Sequence, residues 1–248
     1  MVGRPGRAVV KEQLPWLIKE FEPTFVIVNG ENSASGVGIT PSIANDLFSW
    51  GADVITLGNH AYHKKEIYGY LDEPGKNIVR PANVPPNNPG KGWLTIEKDG
   101  IRLAVANLCG RVYLPSYDDP FPLIDQILQE AGTDHFFLDF HAEATSEKLA
   151  MAFHLDGRIT AQVGTHTHVQ TADEQVLEKG TAYITDVGMC GPFPSVLGMD
   201  KDVILKKFLT SMPTKFEVAD QPGVISGVVI SVNRSTGRAN AIERLARR

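Results

Sequence analysis

The stretch Phe25-Val26-Ile27-Val28-Asn29-Gly30-Glu31-Asn32 sets an apolar, β-branched run directly before a polar turn that carries a carboxylate and an amide. Such a run reads as a buried strand, with the polar residues at its carboxyl end. Upstream, Val10, Leu14, Leu17, Ile18 and Phe21 recur at i, i+4, i+7, i+8 and i+11, the stripe of a helix packed on a sheet. Met1-Val2-Gly3-Arg4-Pro5-Gly6 before it reads as a loop. Downstream, Thr40 is placed to cap a helix, with Pro41 at the first helical position and Gly51 just past the end. Val54-Ile55-Thr56-Leu57 then forms a second strand that runs into Gly58-Asn59-His60. Strand, helix and strand in short succession predict parallel pairing through a right-handed crossover.

Further along, Trp93-Leu94-Thr95-Ile96 and Leu103-Ala104-Val105-Ala106 flank Lys98-Asp99-Gly100, a hairpin turn, so the middle of the chain is expected to be more antiparallel. Pro81 to Pro89 and Pro115 to Pro120 are irregular connections, the second followed by an amphipathic stretch around Leu123, Ile127 and Leu128. Phe136-Phe137-Leu138 leads into Asp139-Phe140-His141-Ala142-Glu143, and Thr145 to Phe153 is helical. Ile159 to Val163 leads into Gly164-Thr165-His166-Thr167-His168, and Ala182 to Ile184 is a short strand. Val224 to Val232 and Ala239 to Ile242 make a final hairpin. With no repeat and no linker, residues 1–248 are expected to form one layered α/β domain.

The bulk composition narrows the function. A formal charge of -5 and a pI near 5.8 argue against a face for duplex nucleic acid, which needs many Lys and Arg contacts to phosphate. A small phosphate ester stays within reach, because one local cation can hold it. The two cysteines, Cys109 and Cys190, cannot build a disulfide framework and fit a reducing compartment. No leader-like run and no stretch of ~20 apolar residues is visible, so a cytoplasmic protein with no membrane partner is expected. Asn233-Arg234-Ser235 matches a glycosylation sequon but reads better as a turn.

Ligands of open α/β sheets collect beyond the carboxyl ends of strands, where loops converge. Glu31, Asn59, His141, His166 and His168 all fall there. A single such histidine is weak evidence, whereas three strand-end clusters plus a glutamate are not a common coincidence. Nitrogen and oxygen donors without thiolate suit Mn, Fe or Zn, and imidazole argues against Mg or Ca. Two ions ~3.5 to 4 Å apart can activate a water and neutralise phosphoryl oxygens, so hydrolysis of a phosphate ester is the reaction such donors serve best.

The motifs Asn29-Gly30-Glu31-Asn32, Gly58-Asn59-His60, Asp139 to Lys148, Gly164 to Asp173 and Ile184 to Met189 resemble the calcineurin-like metallophosphoesterases. More closely, they are similar to the bacterial YmdB-type subgroup of cyclic-nucleotide phosphodiesterases, from Gly3 to about Arg244. The resemblance implies a layered metallophosphoesterase fold, with mixed central sheets flanked by helices, and two divalent or mixed-valence transition-metal ions. Iron or manganese would be the natural occupants, with zinc as a further option. It implies that Glu31 bridges the ions, that Asn59, His141 and His166 complete one set of ligands, and that Asn32 and His168 join Glu31 at the other. His60 would be the proton donor to the leaving group after attack by a metal-activated hydroxide. His63, His135 and His154 match no ligand and read as surface or packing residues. Lys148 and Arg111 are left between phosphate contact and a structural role.

The family's first strand ends in Gly-Asp and supplies a further ligand, and no residue here stands at that position. Asp46 lies inside the second helix and Asp53 precedes its strand, so neither substitutes. The expectation is therefore that the first strand is missing, that the chain is N-terminally truncated relative to the family, and that the start is internal. The functional expectation is a phosphodiesterase for 2′,3′-cyclic and 3′,5′-cyclic nucleotides, with a homo-oligomeric form open. Its alternatives are a weakly catalytic regulatory or scaffold protein of the same fold, and a phosphomonoesterase.

Overall fold

The computed structural model describes residues 1–247. Helix α1 (Gly3–Phe21) is followed by β1 (Ile27–Asn29), α2 (Pro41–Ser49), β2 (Val54–Thr56), α3 (Ile67–Leu71) and β3 (Ile78–Val79). These strands form a parallel sheet in the order β1-β2-β3. α2 begins as its sequence predicts: the Thr40 side chain accepts from the Ile43 amide, Pro41 follows, and Gly51 takes φ 112° after the last turn.

The hairpin β4 (Trp93–Lys98) and β5 (Ile101–Cys109) turns through Asp99 and Gly100, both at positive φ as a two-residue turn requires. Then come α4 (Pro120–Ala131), β6 (His135–His141), α5 (Thr145–Leu155), β7 (Ala161–Thr165), β8 (Gln175–Val176) and β9 (Ala182–Ile184). They assemble a six-stranded sheet in the order β4-β5-β6-β7-β9-β8. Its inner pairs are all parallel and only β4 and β8 run antiparallel, so the expected antiparallel character is confined to the edges. The reason is α4 and α5, which supply the crossovers that parallel neighbours need. Last come β10 (Gly191–Pro192), α6 (Lys201–Thr210), β11 (Gly223–Val232) and β12 (Ala239–Arg247), the strands forming a third, antiparallel sheet.

Layering follows from the apolar faces. Leu47, Ile55, Ile67 and Ile78 pack α2 and α3 on one face of the small sheet. Val54 and Val79 meet Leu103 and Val105 between the small and large sheets. Ile124, Ile127, Met151 and Leu155 bring α4 and α5 onto Phe136, Leu138 and Phe140. The carboxyl ends of β1, β2, β6 and β7 thereby come together.

The opening segment departs from expectation. Residues 3–6 open helix α1 rather than forming a loop: Gly3 enters at φ 57°, and Pro5 falls in the first turn, where its missing N–H leaves no helical hydrogen bond unmade; Gly6 is needed for space, since a Cβ there would stand 2.4 Å from the Cys190 carbonyl oxygen. Among the described residues β1 has β2 as its only strand partner. Met1 donates its ammonium to the Asn29 carbonyl at 3.2 Å, and Val2 bridges Asn32 in parallel. A cavity of about 530 Å³ extends along that free side of β1, walled by Leu17, Ile27, Phe137 and Val228 and touched by Glu31 and His141.

Candidate metal centre

Four of the expected residues meet at one atom. His141, at the end of β6, has its Nε2 2.8 Å from Asn59 Oδ1, 3.2 Å from Glu31 Oε2 and 3.0 Å from His166 Nδ1. Adjacent ligands around one ion with bonds of ~2.1 Å are ~3 Å apart, so these separations suit a shared ion. Among the described residues no group of three or more His, Cys, Asp or Glu side chains is already arranged as a metal shell. The centre is thus a convergence of donors in which an amide oxygen takes part. Asn32 and His168 form a second pair, Nδ2 to Nε2 at 3.1 Å, and both line the cavity that Glu31, His141 and His166 also line.

The backbone is shaped for this convergence. A Cβ on Gly58 would lie 2.5 Å from His141 Cε1 and 2.6 Å from Glu31 Oε1, so only glycine lets the β2 turn pass. His166 and His168 sit at φ 102° and 65°, a conformation that side chains seldom adopt. The segment is held there by Asp186, whose carboxylate accepts the Thr167 amide at 3.0 Å and the Gly188 amide at 2.9 Å. Lys148, fully buried, donates to the same carboxylate at 3.0 Å. That placement resolves its role: Lys148 is structural and out of reach of a substrate. Arg111 pairs with Asp119 at 3.4 Å on the surface.

The electrostatics also suit a cation. Burial raises the Glu31 carboxyl to about 8, against the opposing hydrogen bond from the His60 amide. Burial likewise holds His141 well below the usual histidine range, and lowers His166 and His168. The Glu31 and His141 contact is therefore a neutral one near pH 7 rather than an ion pair. Buried Asn32 Oδ1 finds no hydrogen-bond donor. Neutral imidazoles, an orphaned amide oxygen and a carboxyl whose proton a cation would displace together fit divalent metal.

His60 donates its backbone amide to Glu31 Oε1 at 2.7 Å. Its ring lies beside Asn59 at 3.4 Å and meets the ring of His63 edge-on, with the Nδ1 atoms 3.3 Å apart. Burial and the neighbouring His63 push its pKa down to about 4. His63, expected to be an ordinary surface or packing residue, packs against His60 and is thus a neighbour of the site. Glu143, just past β6, places its Oε2 3.1 Å from His166 Nε2. His135 and His154 are elsewhere, one against the Arg234 carbonyl and one against Asp125.

Beneath the donors lies a network that the sequence motifs did not disclose. Asp139, 2% exposed, receives hydrogen bonds from Asn29, Thr56 and Thr165. Burial raises its carboxyl, and those hydrogen bonds oppose the shift. Finding it needed the register that places Asp139 on β6 beside Val163 on β7.

Parallel sheets with donors gathered at their carboxyl ends define the calcineurin-like phosphoesterase fold. The calcineurin-like phosphoesterase YfkN of Bacillus subtilis superposes with a TM-score of 0.53 at 11% identity, over 97% of this chain and 81% of that one. A family model for YmdB-like proteins matches residues 1–245, and the chain belongs to that family. It is 52% identical to the 2′,3′-cyclic-nucleotide 2′-phosphodiesterase of Bacillus subtilis, over 99% of this chain and 93% of that protein. A crystal structure described as a novel phosphatase from Mycoplasma pneumoniae superposes with a TM-score of 0.93 at 35% identity, covering 99% and 89%. The fold implies divalent metal ions. Among the described residues no helix is long and apolar enough to cross a membrane.

Proposed function

We propose that this chain is a metal-dependent phosphodiesterase that hydrolyses cyclic nucleotides, the 2′,3′-cyclic ones foremost. The carrying observation is the meeting of Asn59, Glu31 and His166 at His141 Nε2. The 52% identity to a relative with that activity supports the substrate class. In this reading Glu31 with Asn59, His141 and His166 would hold one ion, and Asn32 and His168 would join Glu31 in holding a second. Iron or manganese, or zinc, would suit nitrogen and oxygen donors. Such ions supply an activated water and neutralise charge on the phosphoryl oxygens.

The chain's own residues supply the rest. Gly58 keeps the ligand loops close, and Asp186 fixes the backbone that carries His166 and His168. His60 gives a proton to the departing ribose oxygen as its bond to phosphorus breaks, which matters most for a poor leaving group. Burial and His63 lower its pKa to about 4, and an anionic substrate beside it would favour the protonated ring. The free thiols of Cys109 and Cys190 support a reducing, cytoplasmic setting. A phosphomonoesterase is the second reading, favoured by the description of the Mycoplasma pneumoniae structure.

One panel tests both on manganese-loaded protein: 2′,3′-cyclic, 3′,5′-cyclic and monoester substrates, with wild type and His60→Ala. The expected result is preference for the 2′,3′-cyclic ester, and a variant that keeps its metal while losing turnover more on that ester than on an activated nitrophenyl diester. Equal losses on both diesters would remove the donor role, and preference for the monoester would favour the second reading.

A further inference from the structure

The buried hydroxyl of Thr165 stands between two groups whose protons matter to the metal centre. Its Oγ1 is 2.7 Å from Asp139 Oδ1 and 2.8 Å from His141 Nδ1. A hydroxyl has one proton to give. Where that proton goes decides which nitrogen of His141 keeps a lone pair.

The surroundings of Asp139 settle the direction. Asn29 accepts the Glu31 amide through its Oδ1 at 3.2 Å, so its Nδ2 must face the other way. That Nδ2 donates to the Leu57 carbonyl and to Asp139 Oδ2, each at 3.0 Å. Thr56 also gives its hydroxyl proton to Oδ2. Asp139 Oδ1 is left as the acceptor for Thr165. With its proton committed there, Thr165 can only accept from His141, which must carry hydrogen on Nδ1. Nε2 is then bare and faces Asn59 Oδ1, which also carries no hydrogen, at 2.8 Å, with Glu31 and His166 beside it: lone pairs brought this close need a cation between them.

We infer that Asp139 and Thr165 are positioning residues that impose the Nδ1-protonated tautomer on His141 and so ready its Nε2 for a cation; the effect on metal rests on the ligand assignment above. A hydrogen-bonded partner on the far nitrogen is how metal-binding imidazoles are oriented, and here the carboxylate acts through a hydroxyl. The same carboxylate ties Asn29 and Thr56, from the small sheet, to Thr165, from the large one. Ligand tautomer and the fit between sheets therefore depend on one side chain.

Three substitutions separate this from mere packing. Thr165→Val keeps the shape and removes the relay, whereas Thr165→Ser keeps the hydroxyl. Asp139→Asn should do more than weaken the network. Its oxygen is drawn to the side of Asn29 Nδ2 and Thr56, which puts its amide nitrogen against Thr165. Thr165 would then accept from Asn and donate to His141 Nδ1, forcing hydrogen onto Nε2.

The readout is the nitrogen-15 spectrum of labelled histidine in metal-free protein, followed by calorimetric titration with Zn²⁺ alone. Wild type and Thr165→Ser should show His141 protonated at Nδ1, and Asp139→Asn should show it at Nε2. Zinc affinity should fall about 10- to 100-fold in Thr165→Val and Asp139→Asn, and recover in Thr165→Ser. Hydrogen on Nε2 in the wild type, or the same tautomer in Asp139→Asn as in the wild type, would overturn the inference. The tautomer is read without metal, so a wild type that takes up no zinc would count against the ligand assignment alone.

Discussion

Replacing Lys148 by methionine tests how the strained histidine segment is held. Lys148 is fully buried and its Nζ lies 3.0 Å from Asp186 Oδ2, with no water-facing route for either charge. Methionine fills most of the space but leaves the carboxylate with the Thr167 and Gly188 amides and no cation. Removing one partner of a buried pair costs about 3 to 5 kcal/mol, and the two remaining amide donors place this site at the lower end. For a chain of this size each kcal/mol moves Tm by about 2 to 4 °C, so a fall of about 6 to 12 °C is expected. The assay is calorimetric melting of metal-free protein at pH 7. Adding Asp186→Asn to Lys148→Met should recover much of the loss, because neither charge then remains buried. A single variant that melts with the wild type, or a double variant that melts no higher than the single, would refute the reasoning.

The remaining expectations concern the donors. Gly58→Ala should fold, as followed by circular dichroism, but should fail to take up manganese in elemental analysis, since its Cβ would stand 2.5 Å from His141 and 2.6 Å from Glu31; unchanged metal content would contradict this. Stability of the metal-free protein should pass through a maximum near pH 7. Below it, His60, His141, His166 and His168 have folded pKa values beneath the unfolded one, so unfolding takes up protons and stability is lost as pH falls. Glu31 opposes this from its ordinary carboxylate range upward, since its folded value near 8 keeps it protonated while its unfolded counterpart is ionised, and above pH 7, with the unfolded histidines neutral, its effect prevails and stability declines. Denaturant titrations at pH 5, 7 and 9 would show this, and a stability still rising from pH 7 to 9 would be the contrary result. Manganese should raise Tm more at pH 8 than at pH 6, because binding displaces the Glu31 proton.

Much of the architecture was legible because local signals agreed with tertiary demands. Thr40 and Pro41 mark a helix start that owes little to its surroundings, and Ala182 to Ile184 is a strand in both readings. Gly3, Pro5 and Gly6 misled, since together they suggest a turn, whereas Gly3 leads into the helix at φ 57°, Pro5 fits its first turn and Gly6 sits against the Cys190 carbonyl. Helix α6 has no counterpart in the sequence reading: of its apolar residues it buries Ile204, while Leu205, Phe208 and Leu209 stay exposed, so no core contact marks it. At the candidate site, strand-end position and residue type pointed to Glu31, Asn59, His141 and His166, which the fold brings together. They could not find Asp139, Thr165 or His63, whose importance comes from register and side-chain direction. Lys148 shows the same limit: a lysine in a motif can face phosphate or a buried aspartate, and only the packing of α5 on β7 decides.

The cavity of about 530 Å³ beside the free side of β1 has a kinetic meaning as well. It is open to solvent, and Glu31, Asn32, His141, His166 and His168 all lie on its surface. Ions and small chelators can therefore reach the candidate ligands without unfolding the chain, so metal should exchange on a timescale faster than global unfolding.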